Sequence, residues 1–222
     1  MTGPPTRRRR TRGTVLSAVI LGLLTSGVLP TNALAGHCRF RGSKTIVNNR
    51  AARVFSIESQ DPPVGGYADD YYGCLYSRGR RVQLAFDSFT NDGDTVAGSF
   101  VLSGSLVAFY TGEGTGTDPM SSLSGNQYVS VVDLRTRHIV HRADVRVALS
   151  GNGDGVHKVV LAPTGSVAWS DVIASGPEIH ALGRSGPVVL DAGTGVDPNS
   201  LRLRGTTLSW IHGGEMKTAT LN

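Results

Sequence analysis

The sequence predicts an all-β protein made of repeated four-stranded antiparallel units. Short runs of alternating apolar and polar residues are bounded by Gly, Asn, Asp and Pro, which is typical of strands and turns. After residue 36, no ten-residue stretch shows the period of an amphipathic helix. In addition, one sequence repeat recurs along the chain. It consists of an apolar strand, a break of small residues and a second strand that ends in an aromatic residue. Its copies span 99–109, 158–169, 200–210 and, in degraded form, 44–55.

The spacing of the copies predicts the architecture. Each copy ends on an aromatic residue: Phe55, Phe109, Trp169 and Trp210. These aromatics are separated by 54, 60 and 41 residues, and a second hairpin follows each of the first three copies. Units of four strands and about 40 to 50 residues are typical of β-propeller blades, whose aligned aromatics fill the core. We therefore predict a small four-bladed propeller with blades at about 44–87, 96–144, 157–192 and 199–222.

Two segments resemble the blades of a known family. Residues 129–136 are similar to the outer-hairpin motif of the TolB-like and YVTN-like propeller proteins that bacteria secrete, and residues 162–169 are similar to their inner hairpin. The resemblance implies a propeller over 44–222 and no particular activity, because propellers host both enzymes and binding modules. The last blade stops after a third strand at 215–221. The ring either stays open, which favours self-association, or closes by pairing of residues 37–41 beside that strand.

Residues 1–35 are predicted to form a signal peptide. A cluster of arginines between residues 7 and 12 precedes an apolar stretch over 15–29, and the small residues of Ala33-Leu34-Ala35 suit a signal peptidase. Cleavage there leaves one secreted domain, residues 36–222, without a membrane span. An uncleaved anchor and lipidation of Cys38 are the alternatives, although His37 stands where acylation requires a small residue.

The leader also accounts for the basic character of the chain. Five of the 22 Lys and Arg residues and none of the 17 acids lie in residues 1–35, which leaves 17 of each in the mature domain. A neutral domain lacks the cationic excess that nucleic-acid binding needs, so nucleic acid is excluded as a partner. Two cysteines, Cys38 and Cys74, remain in a chain bound for an oxidising compartment, and we predict that they form a disulfide.

The acidic residues predict a face for binding. In this strand order the connections inside hairpins are short, whereas those between hairpins, such as 59–71, 86–98 and 171–177, are longer. Thirteen of the 17 acids map to the longer connections, and many arginines map to the short ones. An acidic face concentrates cations or basic partners. The acids concerned are Asp61, Asp69, Asp70, Asp87, Asp92, Asp94, Glu113, Asp118, Asp144, Asp154, Asp171, Asp191 and Asp197.

Seven residues on that face are candidates for ligand binding. Tyrosine beside aspartate suits sugar or peptide contacts, and two Asp-rich turns at 91–94 and 151–155 faintly resemble calcium loops without the full ligand set. Calcium is therefore a weak alternative, and no metal or other cofactor is assigned. His138 and His141 point to opposite faces of a strand and cannot share an ion, and a metal shared by His157, His180 and His212 is a weak alternative. The candidates are Tyr67, Asp69, Asp70, Tyr71, Asp92, Asp94 and Asp154.

Two functions follow from these candidates. The first is a secreted, non-enzymatic module that binds an extracellular protein or glycan, since the sequence contains no nucleophile elbow. The second is an extracellular carbohydrate-active hydrolase or lyase that uses paired acids on the same face. A structural envelope module that self-associates through an open ring is a third reading.

Overall fold

The computed structural model describes residues 35–59, 67–90, 93–114, 126–145 and 155–222. These residues form fifteen strands and one short 3₁₀ turn, Ala35–Cys38, and every strand pair is antiparallel, which confirms the predicted all-β class. The strands are β1 Ser43–Asn48, β2 Ala52–Glu58, β3 Tyr67–Leu75, β4 Arg81–Thr90, β5 Gly93–Ser103, β6 Leu106–Gly114, β7 Gln127–Asp133, β8 His138–Asp144, β9 Gly155–Leu161, β10 Val167–Ile173, β11 Gly176–Gly183, β12 Gly186–Ala192, β13 Arg202–Arg204, β14 Thr207–His212 and β15 Glu215–Thr220.

Consecutive strands pair as meanders, which we number one to four. Strands β9 to β12 form a four-stranded sheet, the third meander, and β13 to β15 form a three-stranded sheet, the fourth. Strands β1 to β4 and β5 to β8, the first and second meanders, join in one eight-stranded sheet. The joint is three residue pairs long, from Ser88 with Thr95 to Thr90 with Gly93. The sequence predicted a connecting loop over 86–98, and that prediction is wrong because both strands continue into it.

The meanders bury apolar side chains against their neighbours in the chain. One cluster joins the first and second meanders, a second joins the second and third, and a last one joins the third and fourth. The first strands of successive meanders also contact one another, β1 with β5, β5 with β9, and β9 with β13. Each meander therefore gains apolar contacts from an adjacent one, as in repeat proteins.

The recurring aromatics are core residues, as predicted. Phe55 and Trp169 are 0 % and 1 % exposed, and Phe109 and Trp210 are 4 % and 5 % exposed. Trp169 packs with Val129 and Val131 of the second meander. The face of the third meander that holds Trp169 is thus turned towards the second.

The predicted disulfide is present and covers the free face of the first meander. Cys38 bonds to Cys74, and both pack with Phe55, against whose ring Phe40 stacks at 5.0 Å. The guanidinium of Arg53 holds the segment by donating to the carbonyl oxygen of Cys38 at 2.9 Å.

The alternative in which residues 37–41 close the ring as a strand beside the fourth meander is wrong. This segment is not a strand, and it packs on the first meander because the disulfide and Phe40 attach it there. Within the described ranges, no buried apolar cluster joins the fourth meander to the first. Most residues of β1 and β13, the first strands of the two end meanders, are exposed.

Two connections between consecutive strands are tight turns, although the sequence predicted a longer connection over 171–177. The connection between β10 and β11 consists of Ala174 and Ser175, and the one between β14 and β15 consists of Gly213 and Gly214. Both of these glycines have positive φ, 60° and 82°, which their lack of a Cβ permits. Many of the acids assigned to loops lie instead in the end segments of strands: Asp69, Asp70, Asp87, Asp144, Asp171 and Asp191. The described residues contain no helix with the length and apolar character that a membrane crossing needs.

Candidate functional site

Most of the predicted tyrosine and aspartate patch lies on β3 and not in a loop. Tyr71 is 9 % exposed, and its ring stacks on that of Phe100 at 4.8 Å, inside the cluster between the first two meanders. Its hydroxyl lies 3.3 Å from Oδ2 of Asp87. Asp69 is also buried, at 9 % exposure. Tyr71 is therefore a core residue, and the ligand-binding role assigned to it and to Asp69 stays a prediction.

The other predicted site residues are less informative. Asp70 accepts a hydrogen bond from Nε2 of Gln83 at 3.0 Å. Burial and the nearby Asp70 carboxylate together raise the pKa of Tyr72. Asp92 and Asp154 lie outside the described residues, as do most of the two calcium-like turns, and the side chains of Tyr67 and Asp94 are likewise outside the description.

A cleft lies between the second and third meanders. It has a volume of about 400 Å³ and is lined by residues of β8, β10, β11 and β12 and by Val145. One wall is apolar and comes mainly from Val188 and Val189 of β12, which are about half exposed. The other wall is polar and is formed by Asp144, Asp171, Glu178 and His180. We call the whole cleft the acidic cleft.

Strand register explains why three of these polar groups meet. The two-residue turn between β10 and β11 pairs Asp171 with Glu178 and Trp169 with His180. Side chains directly opposite each other in an antiparallel pair share one face, and residues two apart on a strand share it too. The side chains of these two pairs therefore project from the same face of the third meander, which is the face that meets the second meander.

Asp171 is held in place by its neighbours. It is 1 % exposed, and its Oδ2 accepts a hydrogen bond from the indole N–H of Trp169 at 3.2 Å. Its Oδ1 lies 3.1 Å from Nε2 of His180. A buried carboxylate needs such partners, because burial without them costs several kcal/mol, on the order of 2 to 7 even for a neutral polar group.

His180 joins the two carboxylates. Its Nε2 lies 3.0 Å from Oε2 of Glu178 as well as 3.1 Å from Oδ1 of Asp171. The imidazole ring stacks on Trp169 with centroids 5.0 Å apart and planes inclined by 5°. One ligand atom from each of Asp171, Glu178 and His180 falls within 4.8 Å of the others. Three potential donors are thus gathered at one point and fixed by an aromatic ring.

The acidic cleft is unbalanced in charge. Asp144, Asp171 and Glu178 bring three carboxylates to it, and the described residues that line it include no lysine or arginine. The ion pairs formed by Asp171 and Glu178 both use the single imidazole of His180. Such a cleft attracts cations, and its low-dielectric walls strengthen that attraction.

The fourth meander places a different set of residues at the equivalent positions. Trp210 pairs with Lys217 there as Trp169 pairs with His180, and His212 pairs with Glu215 as Asp171 pairs with Glu178. A lysine thus stands where the third meander has His180. The Nζ of Lys217 lies 2.8 Å from Oε2 of Glu215, whose hydrogen bond and charge raise the pKa of Lys217.

A second groove, with a volume of about 360 Å³, lies between the third and fourth meanders, and Asp191 is its carboxylate. It accepts hydrogen bonds from the indole N–H of Trp210 at 2.6 Å and lies 2.9 Å from Nδ1 of His212. Burial acts to raise the pKa of Asp191, but the hydrogen bonds from Trp210, His212 and its neighbour's backbone outweigh burial and lower it. Since Lys217 also lines this groove, the groove contains a positively charged side chain of its own.

The sequence pointed to two residues of the cleft but not to the cluster. Asp144 and Asp171 were among the acids assigned to the longer connections, whereas Glu178 and His180 were treated only as residues of a return strand. The signal that finds the cluster is the short hairpin at 171–178, because a two-residue turn fixes which side chains face each other.

Compared with known proteins, the chain matches no family model, and no curated sequence is significantly similar to it.

Proposed function

We propose that the protein is an extracellular, non-enzymatic binding module that captures a cationic partner in the acidic cleft. The observation that supports this proposal is a cleft of about 400 Å³ that brings together three carboxylates and, among the described residues, no lysine or arginine. The apolar surface of Val188 and Val189 beside them suits the aliphatic part of a basic side chain. A basic segment of an extracellular protein has both features.

The extracellular location rests on two features of the chain. Residues 1–35 have the arginine cluster, apolar stretch and small-residue cleavage site of an export signal. The Cys38–Cys74 disulfide fits an oxidising compartment.

We also propose a propeller-like arrangement for the scaffold, with an open ring. Four consecutive meanders that pack in chain order, with their first strands in contact, support this arrangement. The resemblance of residues 129–136 and 162–169 to TolB-like and YVTN-like blades agrees with it. In such an arrangement the grooves between outer strands are open to ligands.

Binding is better supported than glycoside cleavage. A hydrolase needs one carboxylate free to act as a nucleophile or base and a second as an acid. Asp171 is 1 % exposed, and both of its oxygens have partners. Glu178 is also partnered, with its Oε2 3.0 Å from Nε2 of His180, so Asp144 is the remaining acid of the described cleft lining, and one carboxylate does not make the pair that cleavage needs.

The test is binding of an oligolysine peptide to the purified chain by isothermal titration calorimetry. We expect saturable binding that weakens with added salt, because screening reduces the attraction between exposed charges. Glu178→Gln and Asp144→Asn should each weaken binding by about tenfold, which corresponds to about 1.4 kcal/mol.

Asp70→Asn is the matched control. Asp70 is a partly exposed acid on β3, away from the cleft-lining residues, and belongs to the patch that the sequence predicted. If Asp70→Asn abolishes binding and the two cleft variants do not, the site lies on β3 and the proposal fails. Equal effects of all three variants would also refute it, because that result indicates only a general response to net charge.

A further inference from the structure

The acidic cleft contains a group of side chains that proposed capture of a basic segment does not require. Glu178 and Asp144 suffice to attract a basic side chain at the mouth. The deeper group, Asp171 with Glu178 and His180, is buried to half-buried and fixed in position by Trp169. These groups satisfy one another by hydrogen bonding, as buried polar groups must, and the same three donor atoms lie close enough together for one ion to contact them all.

From this geometry we propose that Asp171, Glu178 and His180 bind one divalent transition-metal ion, of which Zn²⁺ is the best fit. The proposal rests on the proposed function in that it places a metal cation in the same acidic cleft. Two carboxylate oxygens and one imidazole nitrogen are a donor set that zinc and manganese accept. Calcium and magnesium prefer oxygen ligands alone, so His180 disfavours them.

The distances between donors agree with a small tetrahedral site. Two ligands that each lie about 2.1 Å from zinc at a tetrahedral angle are separated by about 3.4 Å. The Nε2 atom of His180 lies 3.1 Å and 3.0 Å from the two carboxylate oxygens, and all three atoms lie within 4.8 Å of one another, so the imidazole has to move slightly away from the oxygens to admit the ion. The fourth position then faces the cleft, where a water molecule or a donor group of a bound partner completes the coordination.

Trp169 supplies the outer support that metal sites usually need. Its N–H binds Oδ2 of Asp171, which leaves Oδ1 directed at His180, and its ring lies parallel to the imidazole. Partners of this kind set the orientation of the ligands and change metal affinity by about 10- to 100-fold when removed. Trp169 is therefore a positioning residue of the proposed site.

The fourth meander provides an internal comparison. At the position equivalent to His180 it has Lys217, whose ammonium lies against Glu215 and is influenced by Asp191. A fixed ammonium supplies the positive charge that an ion would otherwise bring. The comparison suggests a substitution that should remove the metal without leaving the acids unpaired, namely His180→Lys.

The experiment is calorimetric titration of Zn²⁺ into the full chain with its disulfide formed and its metals removed by dialysis against a chelator. We expect one zinc ion per chain. His180→Lys and Glu178→Gln should each weaken binding by at least about 100-fold, and Trp169→Phe by about 10-fold. His138→Ala, at an exposed histidine at the start of β8, should bind as the wild type does.

Thermal melts separate loss of the site from loss of the fold. Zinc should raise the melting temperature of the wild type and of His138→Ala, but not that of His180→Lys, because only a ligand that binds the folded state stabilises it. Without metal, His180→Lys should melt close to the wild type. Retention of stoichiometric zinc binding in His180→Lys would overturn the proposal, as would binding of calcium in preference to zinc.

The result is separable from that of the proposed function. If oligolysine binds in the cleft and zinc does not, the metal site is wrong while the cleft remains a binding site. If zinc binds and oligolysine does not, the cleft is a metal site and capture of a basic partner is wrong. If neither cation binds, both proposals fail.

Discussion

Tyr110 links the stability of the fold to pH through a single buried hydroxyl. The side chain is 6 % exposed, and its hydroxyl donates to Oε1 of Gln127 at 2.7 Å. Burial raises its pKa from 10.0 to about 12. The folded state therefore favours the neutral phenol more strongly than the unfolded chain does.

The expected consequence is a loss of stability at alkaline pH. The contribution of Tyr110 should be fully present below pH 10.0 and should decline as pH rises towards about 12, because the unfolded state releases its proton first. Urea unfolding at about pH 9 and at about pH 11 measures this. Tyr110→Phe should show a smaller decline than the wild type. An identical decline in both proteins would contradict the assignment, since other tyrosines would then account for it.

Asp133 illustrates the same principle with the opposite sign. Its Oδ1 accepts hydrogen bonds from the backbone N–H of Arg135 at 2.9 Å and from the hydroxyl of Ser105 at 3.0 Å. Burial acts to raise its pKa, but these bonds and the Arg135 side chain outweigh burial and lower it. The carboxylate is thus stabilised in its charged form.

At the scale of elements, Asp133 couples two hairpins. Ser105 lies in the β5–β6 turn and Arg135 in the β7–β8 turn, so one carboxylate fixes both turns of the second meander. Arg137, at φ 65°, is held in the left-handed region, where a non-glycine residue needs support. Its N–H donates to the carbonyl oxygen of Asp133 at 2.7 Å.

Removing that carboxylate should destabilise the second meander. Asp133→Ala leaves two donors without their acceptor, which typically costs about 1 to 3 kcal/mol of unfolding free energy. Asp133→Asn keeps the acceptor oxygen and should lose less. Urea unfolding of both variants tests this, and an Asp133→Ala protein as stable as the wild type would show that water replaces the carboxylate.

The hairpins also show how far sequence patterns reach. A second hairpin was predicted after the second and third copies of the repeat, and both hairpins are present, as β7–β8 and β11–β12. The prediction of a loop over 86–98, to which Asp87 was assigned, is wrong. In the structure Asp87 lies on β4, where the hydroxyl of Tyr71 is within 3.3 Å of its carboxylate. A cross-strand partner of this kind cannot be deduced from local composition.

The candidate cluster was missed for a related reason. Asp171 and His180 are nine residues apart in sequence, and no spacing rule marks them. Their contact depends on a turn of only two residues between β10 and β11, whereas the sequence suggested a longer connection there. The register of that hairpin, and not the residue types, creates the site.

At the scale of the whole molecule, the two ends of the domain differ. The free face of the first meander is covered by Phe40 and the Cys38–Cys74 disulfide. The fourth meander has three strands, and residues of its last strand such as Met216 are exposed, at 69 %. The sequence predicted the disulfide and the missing strand correctly. The alternative of ring closure through residues 37–41 was wrong, because the disulfide attaches them to the opposite end of the chain.

The disulfide should contribute strongly to global stability. It closes a segment with a sequence separation of 36, for which loss of chain entropy in the unfolded state gives about 3 to 4 kcal/mol. Replacing both cysteines with serine should lower the unfolding free energy by about this amount in urea. Hydrogen exchange should then increase in β2 and β3, which the segment covers. Unchanged stability would mean that Phe40 and Arg53 alone hold the segment.

The grooves between successive meanders share one plan and differ in chemistry. The groove between the first and second contains Arg137 and Arg142, the next contains the carboxylates around Asp171, and the last contains Asp191 and Lys217. Each groove is lined by residues of only two neighbouring meanders, so substitutions in one leave the other two almost untouched. A chain built in this way can acquire a new specificity in one slot by a few changes of side chain while its remaining slots keep theirs.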